Sequence, residues 1–218
     1  MRTLSEIMRP WAYLSWPNRI TLVRLLLVAP FVVLMQRQQS RDLFRYLAVI
    51  IFLVMALSDL ADGFLARRLN RKSRLGAILD PLADKTLITC AALLLSLPHS
   101  SVRDAKLPAW VVVLIVGKDL WVVVGFAVLF LLTGTVRVLP IRAGKACTAG
   151  QILMVLAILV SPELNAVGFP LGLRVAQVLW WAVAVFCVWA VVGYTRVGLT
   201  FLAESEPHNS SHPPPGSG

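Results

Sequence analysis

The sequence has few charged residues and very few cysteines or histidines. Charged residues make up 15% of the 218 positions, and only 11 residues are acidic. The three cysteines form no C-x-x-C pair and the three histidines show no metal-ligand spacing, so neither a zinc site nor a thiol redox site is expected. We interpret Cys90, Cys147 and Cys187 as packing residues.

Apolar residues, in contrast, are abundant and occur in long continuous runs. They make up 58% of the chain, and the mean hydropathy is +0.76, whereas soluble domains are about 45–50% apolar. A membrane-spanning barrel would need short alternating segments instead. The runs therefore predict an all-α, polytopic membrane protein. We predict six transmembrane helices, at 20–35, 44–58, 85–97, 109–132, 148–160 and 175–195. The second and third are expected to continue as helices beyond the membrane, because polar residues extend their pattern.

The two ends of the chain differ in composition from this membrane domain, which we place at residues 20–203. Residues 1–19 combine Trp11, Tyr13 and Trp16 with arginines, a mixture typical of a helix lying in the membrane interface. Residues 204–218 are polar and rich in proline, serine and glycine, so a disordered tail is predicted there.

The distribution of positive charge predicts the orientation. With six spans, both termini and the second and fourth loops lie on one side of the membrane, and these segments hold twelve lysines and arginines against six in the other loops. The richer side is expected to be cytoplasmic. The formal net charge of +10 is then explained by basic loops that meet anionic lipid head groups. No nucleic-acid-binding motif is present.

Four of the few acids lie close together, in SDLADGFLARRLNRKSRLGAILDPLADK at 58–85. Asp59 and Asp62 are three residues apart and Asp80 and Asp84 are four apart, so each pair shares a helix face. Two helices joined by a short turn are antiparallel neighbours, and their acids can converge at the cytoplasmic edge. Converging carboxylates repel each other unless cations bind between them, and oxygen ligands select Mg²⁺, Mn²⁺ or Ca²⁺. In an alternative interpretation, the acids merely pair with neighbouring basic residues, which are Arg67, Arg68, Arg71 and Lys85.

The order of these residues resembles a family signature. Asp59-x-x-Asp62-Gly63-x-x-Ala66-Arg67, eight residues, and Gly76-x-x-x-Asp80-x-x-x-Asp84 together resemble the motif of the CDP-alcohol phosphatidyltransferases, which have a six-helix membrane domain. The resemblance implies transfer of a phosphatidyl group from CDP-diacylglycerol to an alcohol, with release of CMP. It also implies two divalent cations, Mg²⁺ or Mn²⁺, at the four aspartates, with Asp84 near the second ion as the general base. The residues expected to hold the CDP group are Gly63, Ala66, Arg67 and Gly76.

The first predicted helix adds residues to this donor site. Asn18, Thr21 and Arg24 occur at i, i+3 and i+6 and share one face. The stretch resembles the family's first helix, where such residues border the nucleotide site, so Asn18 and Thr21 are donor-site candidates. Arg24 would then face a polar cavity; alternatively, its side chain extends to the membrane interface.

The start of the fifth predicted helix suggests the acceptor. Arg142 and Lys145 precede Thr148 and Gln151 at helical spacing, which would form a basic pocket for an acceptor phosphate. GKACTAGQ resembles the branch that uses glycerol 3-phosphate, which we predict as the acceptor. Lys118-Asp119 is closer to the Arg-Asp pair of cardiolipin synthases, so phosphatidylglycerol is kept as the alternative acceptor. The pair itself is either a buried ion pair or part of the site.

The alternative from another class of function is a membrane transporter. Charges within membrane helices mark ion pathways as well as enzyme sites. A transporter would place its acids near the middle of the membrane, in broken helices, whereas these acids cluster at one edge. The oligomeric state is left open between a monomer and a homodimer.

Overall fold

The computed structural model describes the backbone of residues 16–69, 76–102, 105–133, 142–166 and 171–205, and the side chains of 21–58, 83, 85–102, 105–132, 143–166 and 171–203. Over these residues the backbone forms helices and short connections, without a strand, which confirms the all-α prediction there. The helices are α1 Trp16–Arg37, α2 Asp42–Leu69, α3 Gly76–Ser96, α4 Ala109–Thr133, α5 Arg142–Leu159, α6 Ser161–Asn165 and α7 Leu171–Ser205.

Several helices are longer than the apolar runs that predicted them. α2 continues past residue 58 to Leu69, and α3 begins at Gly76, which confirms that both continue into polar sequence. α1 begins at Trp16 with Pro17 next, where proline is well tolerated because the first backbone N–H groups of a helix have no intrahelical acceptor. The predicted interfacial helix at 1–19 and the tail at 204–218 lie outside the described residues, except for residues 16–19 and the last two residues of α7.

Buried residues recur along the helices at alternating steps of three and four, which puts one stripe of each helix into the core. On α1 this stripe is Thr21, Arg24, Val28, Phe31 and Met35. On α7 it is Ala176, Trp180, Val183, Cys187 and Ala190. Buried alanines such as Ala48, Ala91 and Ala176 let helix backbones approach closely, as is usual between membrane helices.

α1 and α7 are the two helices around which the bundle is organised. α1 packs against both α2 and α3, and α7 packs against α4, α5 and α6. α3 also contacts α4 and α5, and α2 contacts α5, so the two groups are joined. Trp180 of α7 is buried, while Trp181 and Trp189 are largely exposed.

Three connections meet at one end of the bundle. Gln38, after α1, donates a side-chain hydrogen bond to the carbonyl oxygen of Ser100, after α3. Arg45, near the start of α2, donates to the carbonyl oxygen of Leu159 at 2.8 Å, at the end of α5. The first, third and fifth connections therefore lie on the same side, as the alternating spans predict. The end of α2 and the starts of α3 and α5 then lie at the opposite end.

Within the part of the chain that the structure describes, two helices are long and apolar enough, taken alone, to cross a membrane. Ala109–Leu132 and Leu171–Ala203 have mean hydropathies of 2.3 and 2.2, and only 17% and 28% of their most apolar windows is buried. The apolar helices Lys85–Ser96 and Ala143–Leu159 are shorter. Exposed apolar surface on this scale suits contact with lipid rather than with water, so a membrane protein is indicated. The full count of six spans stays a prediction.

Candidate functional site

The backbone places the four signature acids on two long helices. Positions 59 and 62 lie within α2, and positions 80 and 84 lie within α3. On α2 they continue the three-four spacing of buried residues, namely Arg45, Ala48, Phe52 and Met55. On α3 they precede buried residues at the same spacing, namely Leu87, Ala91 and Leu94. The helical register that the sequence predicts for each acid pair is therefore present.

Several predicted site residues have side chains outside the described residues, so their roles remain predictions. These are Asp59, Asp62, Asp80, Asp84, Gly63, Ala66, Arg67, Gly76, Asn18 and Arg142. Among the side chains that the structure does describe, no three of His, Cys, Asp and Glu lie together as a metal site would require. The four aspartates provide oxygen donors alone, and this donor chemistry fits Mg²⁺ or Mn²⁺ rather than a thiophilic metal.

α1 contributes two buried polar residues close to the acid-bearing helices. Thr21 and Arg24 are each 2% exposed, so both side chains lie inside the bundle. Both lie on the stripe of α1 that faces the core, and α1 packs against α2 and α3. An arginine buried within an apolar helix is costly unless polar groups surround it. The burial of both residues agrees with the prediction that this face of α1 borders a polar site.

The charged pair in α4 is part of a larger cluster. Oδ1 of Asp119 lies 2.9 Å from Nζ of Lys118 and 3.2 Å from Nζ of Lys85, which is the residue after Asp84 on α3. The Lys118 side chain is 9% exposed and that of Asp119 is 19% exposed. Lys118 and Asp119 therefore form a largely buried ion pair, which is one of the two predicted alternatives and does not exclude the other. The cluster also reaches the helix that carries the predicted general base.

The start of α5 divides into an exposed part and a buried part. Lys145 is exposed, as an acceptor-binding residue should be, whereas Gln151 is buried. Nε2 of Gln151 lies 3.5 Å from Sγ of Cys147 and 3.8 Å from Sγ of Cys187 on α7. Gln151 thus joins α5 to α7, and the exposed basic surface begins at Lys145. The free cysteines Cys147 and Cys187 are buried, which confirms packing roles for them.

Tyr194 of α7 closes the junction between α4, α5 and α7. A Cβ atom at Gly144 would lie 2.6 Å from the Tyr194 hydroxyl oxygen. The absence of a side chain at Gly144 therefore leaves room for the Tyr194 ring. The Tyr194 ring also meets Phe126 of α4 edge to face, with centroids 6.3 Å apart. One turn further, Nε1 of Trp121 donates to Oγ1 of Thr195 at 3.0 Å. These contacts hold the Lys145 end of α5 against its neighbours.

Sequence reasoning missed two features of this region. It did not connect Lys85 with Asp119, although both were singled out separately, because nothing in the sequence indicates which helices are neighbours. It also gave Tyr194 no role. A signal for the first feature does exist, since Lys118-Asp119 is a charged pair within an otherwise apolar run. Such a pair needs polar partners from another helix.

Comparison with known proteins shows which family this chain resembles. The family model described as CDP-alcohol phosphatidyltransferase matches residues 14–189. A protein of Bacillus subtilis (strain 168), named CDP-diacylglycerol–glycerol-3-phosphate 3-phosphatidyltransferase, is 31% identical over 183 residues, which cover 79% of this chain and 89% of the relative. A protein of the same name from Escherichia coli (strain K12) is 42% identical over 80 residues, or 37% of this chain and 43% of the relative.

The matched region contains every signature position, from Asp59 to Asp84, and six of the helices that form the bundle. The match extends over most of the chain. The chain therefore belongs to the CDP-alcohol phosphatidyltransferase family.

Proposed function

We propose that this membrane protein makes phosphatidylglycerophosphate, by transferring the phosphatidyl group of CDP-diacylglycerol to glycerol 3-phosphate with release of CMP. The choice of acceptor is supported by the relative from Bacillus subtilis, which is named as a glycerol-3-phosphate 3-phosphatidyltransferase. This relative is 31% identical to the chain over 79% of the chain's length. The relative from Escherichia coli has the same name.

The proposed reaction needs one proton acceptor and a way to neutralise phosphate charge. The acceptor hydroxyl oxygen attacks the β-phosphorus of CDP-diacylglycerol, the bond from that phosphorus to the bridging oxygen breaks, and CMP leaves with the electron pair. Asp84 takes the hydroxyl proton. Two divalent cations, held by Asp59, Asp62 and Asp80 beside Asp84, would supply neutralisation of the phosphate oxygens.

The donor and the acceptor are assigned to different helices: the donor to α1, α2 and α3, and the acceptor to the start of α5. Gly63, Ala66, Arg67 and Gly76, with Asn18 and Thr21 of α1, hold the CDP group of the donor. Arg142 and Lys145 at the start of α5 bind the phosphate of the acceptor. The burial of Thr21 on the core face of α1 and the exposure of Lys145 support this division. An exposed lysine is accessible to a water-soluble, anionic acceptor.

We further propose six spans with the site and both termini in the cytoplasm. The meeting of the first, third and fifth connections at one end of the bundle supports this arrangement. Reporters inserted at 67–74 and fused after Phe201 should both be cytoplasmic, and one inserted beside His99 should be on the other side. A non-cytoplasmic reporter at 67–74 would contradict the topology, since it would separate the acids from cytoplasmic nucleotides.

The acceptor is tested with purified protein and CDP-diacylglycerol. Radiolabelled glycerol 3-phosphate and phosphatidylglycerol are supplied separately, each with Mg²⁺ or Mn²⁺, and both lipid product and CMP are measured. We expect labelled phosphatidylglycerophosphate and equal CMP. Cardiolipin from phosphatidylglycerol, without lipid product from glycerol 3-phosphate, would establish the alternative that Lys118-Asp119 suggested. Asp84→Asn serves as the inactive control and reveals any contaminating activity.

A further inference from the structure

The carboxylate of Asp119 is shared by two ammonium groups from different helices. Lys118 comes from the same helix, and its side chain is buried. Lys85 comes from α3, is 41% exposed, and directly follows the predicted general base Asp84. The contact is therefore one of the points at which α4 meets the metal-binding part of α3.

The free ammonium of a lysine beside several carboxylates would compete with cations for them. Lysine has a flexible four-carbon stem and no fixed geometry for its donors, so Lys85 can pair with any carboxylate within reach. Four carboxylates brought together attract positive charge strongly, because they destabilise one another when left without cations. An ammonium that neutralises one of them weakens the binding of a divalent ion there.

We propose that Asp119 is a positioning residue for the metal site: it holds the Lys85 ammonium against α4, so that this ammonium does not compete with divalent cations for the aspartates. This rests on the proposed function, in that the aspartates bind divalent ions. Lys118 has a supporting part. It pairs with the same oxygen of Asp119 from within α4, and so holds that carboxylate at the junction between the two helices.

A role as a mere link between α3 and α4 makes different predictions. If the ion pair only joins the helices, Lys85→Gln and Asp119→Asn break the same contact, and combining them gives no recovery. If Asp119 restrains Lys85, the harm in Asp119→Asn comes from the released ammonium. Removing that ammonium in Asp119→Asn/Lys85→Gln then restores the site, and a double-mutant cycle measures the coupling.

The readout is direct binding of Mn²⁺ to the purified full-length protein without substrates, measured from the free-ion signal in electron paramagnetic resonance. We expect Asp119→Asn to weaken binding about tenfold, which is the usual size of an outer-shell effect on a metal site. Lys85→Gln should stay near wild type, and the double variant should return to within about threefold of wild type. Unchanged affinity in Asp119→Asn, or no recovery in the double variant, would overturn the proposal.

Two further variants keep the test decisive. Asp119→Asn leaves Lys118 buried without its partner, which can prevent folding. The same cycle is therefore run in a Lys118→Gln/Asp119→Asn background, where both buried charges are gone, and the addition of Lys85→Gln should again restore binding. Asp62→Asn tests the metal site itself. If it abolishes Mn²⁺ binding while the Lys85 cycle shows no coupling, the role of Asp119 fails and the proposed function stands; a wild-type protein that binds no Mn²⁺ overturns both.

Discussion

Arg45 and Glu163, 118 residues apart, form a two-pronged ion pair at the end of the bundle opposite the acid-bearing segment. Nη1 and Nη2 of Arg45 bind the two carboxylate oxygens of Glu163, with Nη1 2.6 Å from Oε2. Nη1 also donates to the carbonyl oxygen of Leu159. One buried guanidinium therefore ties the start of α2 to both α5 and α6. Paired donation of this kind fixes geometry as well as charge.

Replacement of Glu163 by glutamine should destabilise the protein. The buried Arg45 would keep its charge and lose the carboxylate that neutralises it, at a cost of about 1–3 kcal/mol. We expect a lower midpoint of thermal unfolding in detergent. Asp42→Asn is the matched control, because Asp42 is 83% exposed and its nearest oxygen is 3.9 Å from Arg45. Equal midpoints for Glu163→Gln and Asp42→Asn would show that the pair contributes nothing.

The same pair predicts how stability depends on pH. The hydrogen bonds from Arg45 lower the pKa of Glu163 from 4.5 to about 2. A group whose pKa is lower in the folded state contributes its full stability above its unfolded pKa, and the contribution is lost as pH falls toward the folded pKa. The difference in unfolding midpoint between wild type and Glu163→Gln should thus be constant down to about pH 4.5 and shrink from there toward about pH 2. A difference that shrinks at neutral pH instead would contradict this assignment.

Gly172 should not tolerate a side chain. A Cβ atom there would lie 2.8 Å from Cα and 2.9 Å from Cβ of Ser161, at the start of α6. The backbone of Ser161 cannot rotate away, so Gly172→Ala should destabilise the protein by about 1–3 kcal/mol, as overpacking does. Gly117→Ala is the control, because no atom lies within 4 Å of a Cβ at Gly117. Thermal unfolding of both variants decides the point, and similar midpoints would refute it.

The four signature acids should separate into two kinds by their variants. Asp59→Asn, Asp62→Asn and Asp80→Asn should each abolish turnover and weaken Mn²⁺ binding, since each removes an ionic oxygen ligand. Asp84→Asn should reduce kcat far more than donor affinity, because its proposed role is to accept the proton. Initial rates give kcat and the KM for the donor, and Mn²⁺ titrations give the affinity for the metal. If Asp84→Asn lost donor affinity in proportion to rate, Asp84 would be a binding residue.

Lys145→Ala should affect the acceptor and leave the donor alone. The loss of one ammonium from the proposed phosphate pocket should raise KM for glycerol 3-phosphate about tenfold, with KM for CDP-diacylglycerol unchanged. Lys106→Ala is a suitable control, because Lys106 is also exposed and lies in the connection at the other end of the bundle. A rise in KM for the donor alone would move Lys145 to the CDP site.

The helices and the signature could be predicted from the sequence because both are local patterns. Apolar runs marked each long helix, and the acid spacing placed positions 59, 62, 80 and 84 in helical register. The contacts of Arg45, Asp119 and Gly144 could not be predicted, since each depends on a residue from a distant helix. From the sequence, Arg45 is one of the six basic residues assigned to the less basic set of loops, where its charge helps to orient the protein. Its burial follows from Glu163, and nothing in either local sequence indicates the partner.

Most side chains of α4 beyond Asp119 are exposed; Leu131, for instance, is 81% exposed. Lipid tails are as apolar as leucine, so side chains here gain little free energy from contact with the rest of the protein. Exchanges among leucine, isoleucine, valine and phenylalanine at the exposed positions 123, 124, 128 and 130–132 should therefore be neutral, whereas Phe126, which packs on Tyr194, is not one of them. A deletion would not be, because it changes the depth at which the helix leaves the membrane. Natural selection on this segment should act on its length and apolar character, and leave the identity of each side chain free to drift.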